Sequence, residues 1–242
     1  MRIPLLYIPG FGLIKSLKIE HFYKSDKYFV PIGCDCHPAY LLRKMHLRTE
    51  SLPFDWLNIK PLNSLEYIYR NIIGNFKGTL LDLKLNPQGH IISSNFPYAE
   101  FYHEKSLINS EDTRKKITKR INRLKEILEI KNIVFLHNIP SKSLESLAQV
   151  TYYLKYLDKM KGIIKENDTI HIYIRYDEKL LGNKDNIDIL CQELKSRNVA
   201  FTKYSRNLEK NGEWGLVRDY PALLKDLKIP FSRSLLPKIY FS

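Results

Sequence analysis

The sequence predicts an α/β protein: a central, mainly parallel sheet flanked by helices, with a short irregular N-terminal arm and a β-rich insertion. Three observations carry this. From residue 132 onward, apolar runs at 132–138 (NIVFLHN), 169–176 (TIHIYIRY) and 199–204 alternate with helical patterns at 143–165 and 185–197. Strands separated by helix-length segments imply crossovers, and hence parallel pairing. An apolar run at 28–33 breaks at Gly33 and leads into a helical pattern at 36–47, the same unit at the start of the chain. Between the two lie short apolar pieces at 90–92 and 99–103, flanking Ser-Ser-Asn-Phe-Pro, which read as strands of an insertion.

Taken in order, residues 1–27 read as an irregular arm, because Pro4, Pro9, Gly10 and Gly12 interrupt its apolar content. The bland expectation is an arm packed on the body. The other is a peripheral membrane or partner contact through Ile3, Leu5, Leu6, Phe11 and Leu13. The 36–47 helix has Ala39, Leu42, Arg43 and Leu47 at helical spacing. Its first turn holds Pro38, whose missing N–H costs nothing there, and Asp35 stands where a cap belongs. Residues 57–76 read as a helix with Leu62, Leu65, Ile68, Tyr69 and Ile72 on one side, and 79–85 is ambiguous. A strong helix follows at 110–129, with an apolar stripe of Ile117, Ile121, Leu124 and Leu128 and a basic remainder. Pro221, Pro230 and Pro237 break up the tail. The expected organisation is one domain over 1–242, with an arm (1–27), a core (28–204) and a C-terminal wrap (205–242).

The chain has 242 residues, 44% of them hydrophobic, enough for a sizeable core. No apolar run reaches the roughly 18–20 residues of a membrane span, and no secretory signal is expected. Three cysteines, Cys34, Cys36 and Cys191, are too few for a disulfide framework. They suit a reducing compartment, so a cytoplasmic protein is expected, with a peripheral contact to the inner membrane as a variant. The formal charge of +13 favours anionic partners. The expected partner is an anionic small-molecule, glycan or peptide substrate, with nucleic acid or an anionic membrane surface less favoured. The absence of a P-loop or GxGxxG motif gives no support to a nucleotide fold. No second Cys/His pair has zinc spacing, so neither a metal nor a cofactor is expected.

Chemistry points to the junction at residue 33. Ligands of open parallel sheets bind outside the carboxyl ends of the strands. Cys34 and Cys36 follow one such end, and His137 follows another. A cysteine at a helix N-terminus meets the positive end of the dipole, which favours a thiolate. The competing reading is that both cysteines are buried and inert. A thiol nucleophile needs a base. His103 sits in an aromatic segment beside Glu104; its bland reading is a surface histidine. His137 is the alternative base.

Residues 32–56, IGCDCHPAYLLRKMHLRTESLPFDW, contain Gly33, Cys36, Ala39, Leu42, Arg43 and Pro-Phe-Asp-Trp at 53–56, and Phe101, His103 and Glu104 follow. This set resembles a bacterial family described as papain-like cysteine peptidases, a domain of unknown function. The resemblance implies Cys36 as nucleophile and His103 as base. For a third, orienting residue it leaves Glu104, where an aspartate is more usual, and Asp55. Asp55 has a structural reading too, as partner of Arg43. Arg43 and Trp56 are the candidate substrate-binding side chains. The implied activity is a Cys–His hydrolase acting on an acyl, amide or ester carbonyl. One alternative is an acyltransferase or related enzyme of cell-surface polysaccharide biosynthesis. The other is a non-catalytic basic protein that binds an anionic glycan, nucleic acid or membrane surface.

Overall fold

A computed structural model describes residues 2–7, 14–20, 22–129, 132–177, 184–206, 208–235 and 238–241. The N-terminal stretch is more ordered than an irregular arm. Strands β1 (Arg2–Tyr7) and β2 (Ile14–Glu20) pair antiparallel, and β3 (Tyr23–Lys24) follows. Phe11 lies outside the described residues, as does Leu13, and the side chains of Ile3, Leu5 and Leu6 are likewise outside them.

The core begins at β4 (Tyr28–Pro31) and helix α1 (His37–Lys44). The helix expected over 57–76 is shorter, because Pro61 falls within its first part. Residues Asn58–Ile59 form strand β5, a 3₁₀ turn spans Pro61–Asn63, and α2 runs over Ser64–Ile73. The insertion is β-rich as expected. It comprises β6 (Leu83–Leu85), β7 (Ile91–Ser93) and β8 (Phe96–Glu100), joined to β5 in an antiparallel sheet of order β5-β8-β7-β6.

Helix α3 (Glu111–Glu129) leads to β9 (Ile133–Pro140), α4 (Leu147–Lys161), β10 (Thr169–Asp177), α5 (Lys184–Ser196) and β11 (Ala200–Arg206). Helix α4 starts later than its apolar pattern, at a capping box in which Ser146 and Gln149 satisfy each other's backbone N–H. The central sheet has the order β11-β10-β9-β4, and all its pairs are parallel. The tail adds α6 (Leu208–Asn211), α7 (Tyr220–Asp226), β12 (Ser232–Arg233) and β13 (Lys238–Phe241). Strand β12 pairs with β3 and β13 with β2, so the C-terminal segment wraps back onto the N-terminal one.

Side-chain alternation divides the sheet into two faces. Ile133, Phe135, Ile139, Ile170, Ile172 and Ile174 pack with the apolar stripes of α2, α3, α4 and α5. Val134, Leu136, Tyr173 and Tyr204 face the other way, against Leu41 and Leu42 of α1 and Leu223 and Leu224 of α7. The same alternation turns Asn138, Arg175 and Arg206 toward the α1 face, at the carboxyl ends of their strands. No helix among the described residues is long and apolar enough to cross a membrane.

Candidate active site

The site begins with a glycine. Backbone pairing of β4 continues to Ile32, whose N–H donates to the Leu136 carbonyl at 2.9 Å. At the next residue the chain must turn beneath a neighbouring side chain. A Cβ on Gly33 would lie 2.1 Å from Asn138 Oδ1 and 2.5 Å from Pro38 Cγ, so only glycine fits. Asn138, fully buried, uses that space. Its Oδ1 accepts from the Cys34 N–H at 3.1 Å, and its Nδ2 donates to Asp35 Oδ1 at 3.0 Å. The Ile59 N–H donates to the Cys34 carbonyl at 2.8 Å and pins the turn from the insertion side.

The N-cap of α1 is Cys36 rather than the expected Asp35. Asp35 stands one residue earlier and accepts from the His37 N–H at 3.0 Å. It also accepts from Arg175 Nη1 at 2.6 Å. Burial pushes its carboxyl up, but Arg175 and the His37 N–H outweigh this and hold it below the ordinary range. His37 turns away from its neighbour's thiol. Its Nε2 faces the Trp214 carbonyl at 3.2 Å, which can only accept, so Nε2 carries the proton and Nδ1 accepts from the Tyr173 hydroxyl at 2.7 Å. Burial lowers its pKa to about 4, so the ring stays neutral at physiological pH. Cys34 is buried beside Asn138, and burial pushes its thiol well up.

Cys36 is partly exposed and lines a cavity of about 320 Å³ with Asp35, His37, Trp56, Leu57, Asn58, Tyr102, His103, Arg175, Arg206, Glu213 and Trp214. Cys36 and His103, from opposite ends of the insertion, thus share one cavity. His103 is exposed on a turn after β8, its ring edge-on to Trp56 at 5.7 Å. Among the described residues no hydrogen bond joins its ring to the Cys36 sulfur. The thiol is not the preformed thiolate that the helix dipole suggests. Burial pushes it up to about 11, and the carboxylates of Asp35 and Glu213 add to this, against a weaker downward pull from Arg175. The thiol is therefore protonated at neutral pH.

Other expected site residues lie around this cavity rather than in its wall. Asp55, 1% exposed, binds Arg48 and the Leu52 N–H, not Arg43. The guanidinium of Arg48 lies over the Trp56 ring at 5.6 Å, so Asp55 reaches His103 only through Arg48 and Trp56. Arg43, exposed, lies over the rings of Tyr40 and Trp56. Glu104 accepts from Lys116 and Arg120 of α3, each at 3.0 Å, and braces the His103 turn instead of facing the ring. Part of the basic face of α3 thus has an internal use. His137 sits elsewhere. Its alternation turns it to the α2–α5 face, where Nδ1 meets the Ile32 carbonyl at 2.6 Å and Nε2 meets Ser64 Oγ at 3.4 Å. It is fully buried, and burial lowers its pKa to about 4.

Sequence reasoning passed over Asn138, Arg175, Arg206 and Glu213. For Asn138 and Arg175 there was a signal, a polar residue near the end of a largely apolar strand; Arg206 lies beyond the strand expected at 199–204 and gave none. For Glu213 there was none, since its segment is polar throughout. Among the described residues, no group of three His, Cys, Asp or Glu side chains gathers with metal-ligand geometry.

Residues 27–98 match a family model described as "Putative papain-like cysteine peptidase". The match includes Gly33, Cys36 and Pro-Phe-Asp-Trp and ends before His103. "Uncharacterized protein R408" of Acanthamoeba polyphaga mimivirus is 38% identical over 64 residues, which are 26% of this chain and 28% of that protein. The aligned part thus spans under a third of that relative, which is viral. No solved structure matches the chain.

Proposed function

We propose that the cavity is the active site of a thiol-dependent hydrolase in which Cys36 is the nucleophile and His103 the general base. One observation carries this reading: Cys36, at the carboxyl end of the central sheet, and His103, after the last strand of the insertion, line the same cavity. The family match of the 27–98 segment agrees with it. Because the resting thiol is protonated, proton removal accompanies attack. His103 takes the thiol proton as sulfur bonds to the substrate carbonyl carbon and the π electrons move to oxygen. Collapse of this adduct breaks the bond to the leaving group, which takes the proton from His103, and a thioester remains. Water, deprotonated by His103, cleaves the thioester and returns the thiol. An acceptor hydroxyl in place of water would make the same site an acyltransferase.

Oxyanion donors are fewer than a free helix N-terminus supplies. The His37 N–H is taken by Asp35 and residue 38 is proline. In this reading 1–242 acts as one domain, since the C-terminal strands pair with the N-terminal ones.

The raised thiol favours a second reading, a binding protein that holds an anionic ligand in the cavity without chemistry. An activated ester such as p-nitrophenyl acetate separates the two. The hydrolase reading expects a hydroxylamine-labile acyl group on the Cys36 peptide, absent in Cys36→Ala and at least tenfold slower to form in His103→Ala. Acylation of Cys36 and Cys191 at equal rates, or no effect of His103→Ala, selects the binding protein.

A further inference from the structure

We infer that the cavity recognises a small substrate bearing a single carboxylate, held by the Arg175 guanidinium beside the Cys36 thiol. The inference deepens the hydrolase reading and rests on it for the chemistry, though not for the binding.

Arg175 is 8% exposed and lines the cavity at the carboxyl end of β10. A guanidinium carries five N–H donors. Nη1 donates to Asp35 Oδ2; Nε is buried and has no partner among the described residues. Nη2 has no partner among the described residues either and is not among the fully buried atoms, so it is the donor that can meet a carboxylate oxygen in the cavity, beside the buried Nε. Arg206, also 8% exposed, lines the cavity from the adjoining strand on the same sheet face, its Nη1 donating to the Glu213 carbonyl.

Charge and volume narrow the class. The wall carries two guanidinium groups and the carboxylates of Asp35 and Glu213. Asp35 is already paired with Arg175, and Glu213 is exposed to water. A dianionic phosphate would be repelled by these two carboxylates more strongly than a single carboxylate would. A volume of about 320 Å³ is at the small end for ligand pockets. It takes an amino-acid-sized group, with Trp56 and Trp214 as its aromatic walls, rather than a long extended chain.

Two alkylating reagents of nearly equal size, iodoacetate and iodoacetamide, test this in the whole protein. The ratio of their rates at Cys36 is expected to exceed the ratio at Cys191 of the same molecules at least tenfold, with iodoacetate alkylation saturating. Arg175→Met should bring the two ratios together. Using the ratio cancels any change in the thiol itself. Should that variant not fold, wild-type protection serves: propionate should shield Cys36 saturably and propionamide should not. Equal ratios, or equal protection by acid and amide, overturn the inference, and stronger protection by inorganic phosphate than by propionate overturns its monoanion part. A carboxylate preference that persists while His103→Ala leaves iodoacetamide labelling unchanged would sink the hydrolase reading and keep the carboxylate site. The converse result would do the reverse.

Discussion

Gly33→Ala tests whether the cysteine turn is built around Asn138. The added methyl would lie 2.1 Å from Asn138 Oδ1 and 2.5 and 2.9 Å from two carbons of Pro38. The first separation is more than 1 Å short of ordinary contact, so something must move. If the Asn138 side chain swings away, its bonds to the Cys34 N–H and to Asp35 are lost inside a fully buried site. Two such bonds are worth about 1 kcal/mol each, and residual crowding against Pro38 adds about 1 kcal/mol or more. A total near 3 kcal/mol lowers the thermal midpoint by roughly 6–12 °C in a chain of this size. The displaced turn carries Cys36, so its acylation should fall at least tenfold in protein that is still folded. Asn138→Ala in the same background should relieve part of the clash, giving a double variant less damaged than the sum of the two. Gly89→Ala is the control: it has open space but a φ of +78°, so it should cost about 1 kcal/mol of backbone strain and leave acylation alone. Thermal melts and the ester assay read both effects. A Gly33→Ala protein that melts within 2 °C of wild type and acylates normally would refute the packing argument.

Two further predictions concern the acids around the cavity. Burial pushes the Asp55 carboxyl up to about 6, against the downward pull of Arg48, while the unfolded value is about 3.9. The folded state therefore holds the proton more tightly. This stabilisation is fully present below about pH 4 and is lost as pH rises through about 6. Unfolding free energies from urea titrations of wild type should accordingly fall relative to Asp55→Asn across that window, by up to about 3 kcal/mol; a difference that is flat or of opposite slope rejects the assignment. Glu104→Gln leaves Arg120 without its carboxylate in a largely buried pair. It should cost about 3 kcal/mol in urea unfolding while the pH profile of Cys36 acylation keeps its shape. A shifted profile would instead make Glu104 an acid that orients His103.

Much of the fold was legible because it rests on local pattern. Alternation of buried strands with amphipathic helices gave the parallel sheet from 132 to 204, and the break at Gly33 marked the first strand–helix unit. Less legible were features that depend on distant pairing. The 1–27 stretch reads as irregular by its prolines and glycines, yet β2 is a strand between β1 and β13. Cys36 and His103 were singled out through their motifs, and the fold places both in the wall of one cavity. The partners of Asp55 and Glu104 were not singled out: Asp55 pairs with Arg48 rather than Arg43, and Glu104 pairs with Lys116 and Arg120, 12 and 16 residues away on α3.

The sequence by itself determined the layered α/β architecture and the cysteine turn, since both follow from pattern and spacing within a few residues, while the choice of Cys36 over Cys34 followed from the family resemblance. Tertiary structure decided the chemical state of that turn. The thiol's position at a helix N-terminus argued for a thiolate, but burial and the nearby carboxylates of Asp35 and Glu213 leave it protonated. Tertiary structure also turned Asn138, Arg175 and Arg206 to the α1 face and His137 away from it. Strand alternation fixes only that they face opposite sides. Which side meets α1, and what charge waits there, depends on how the whole sheet packs.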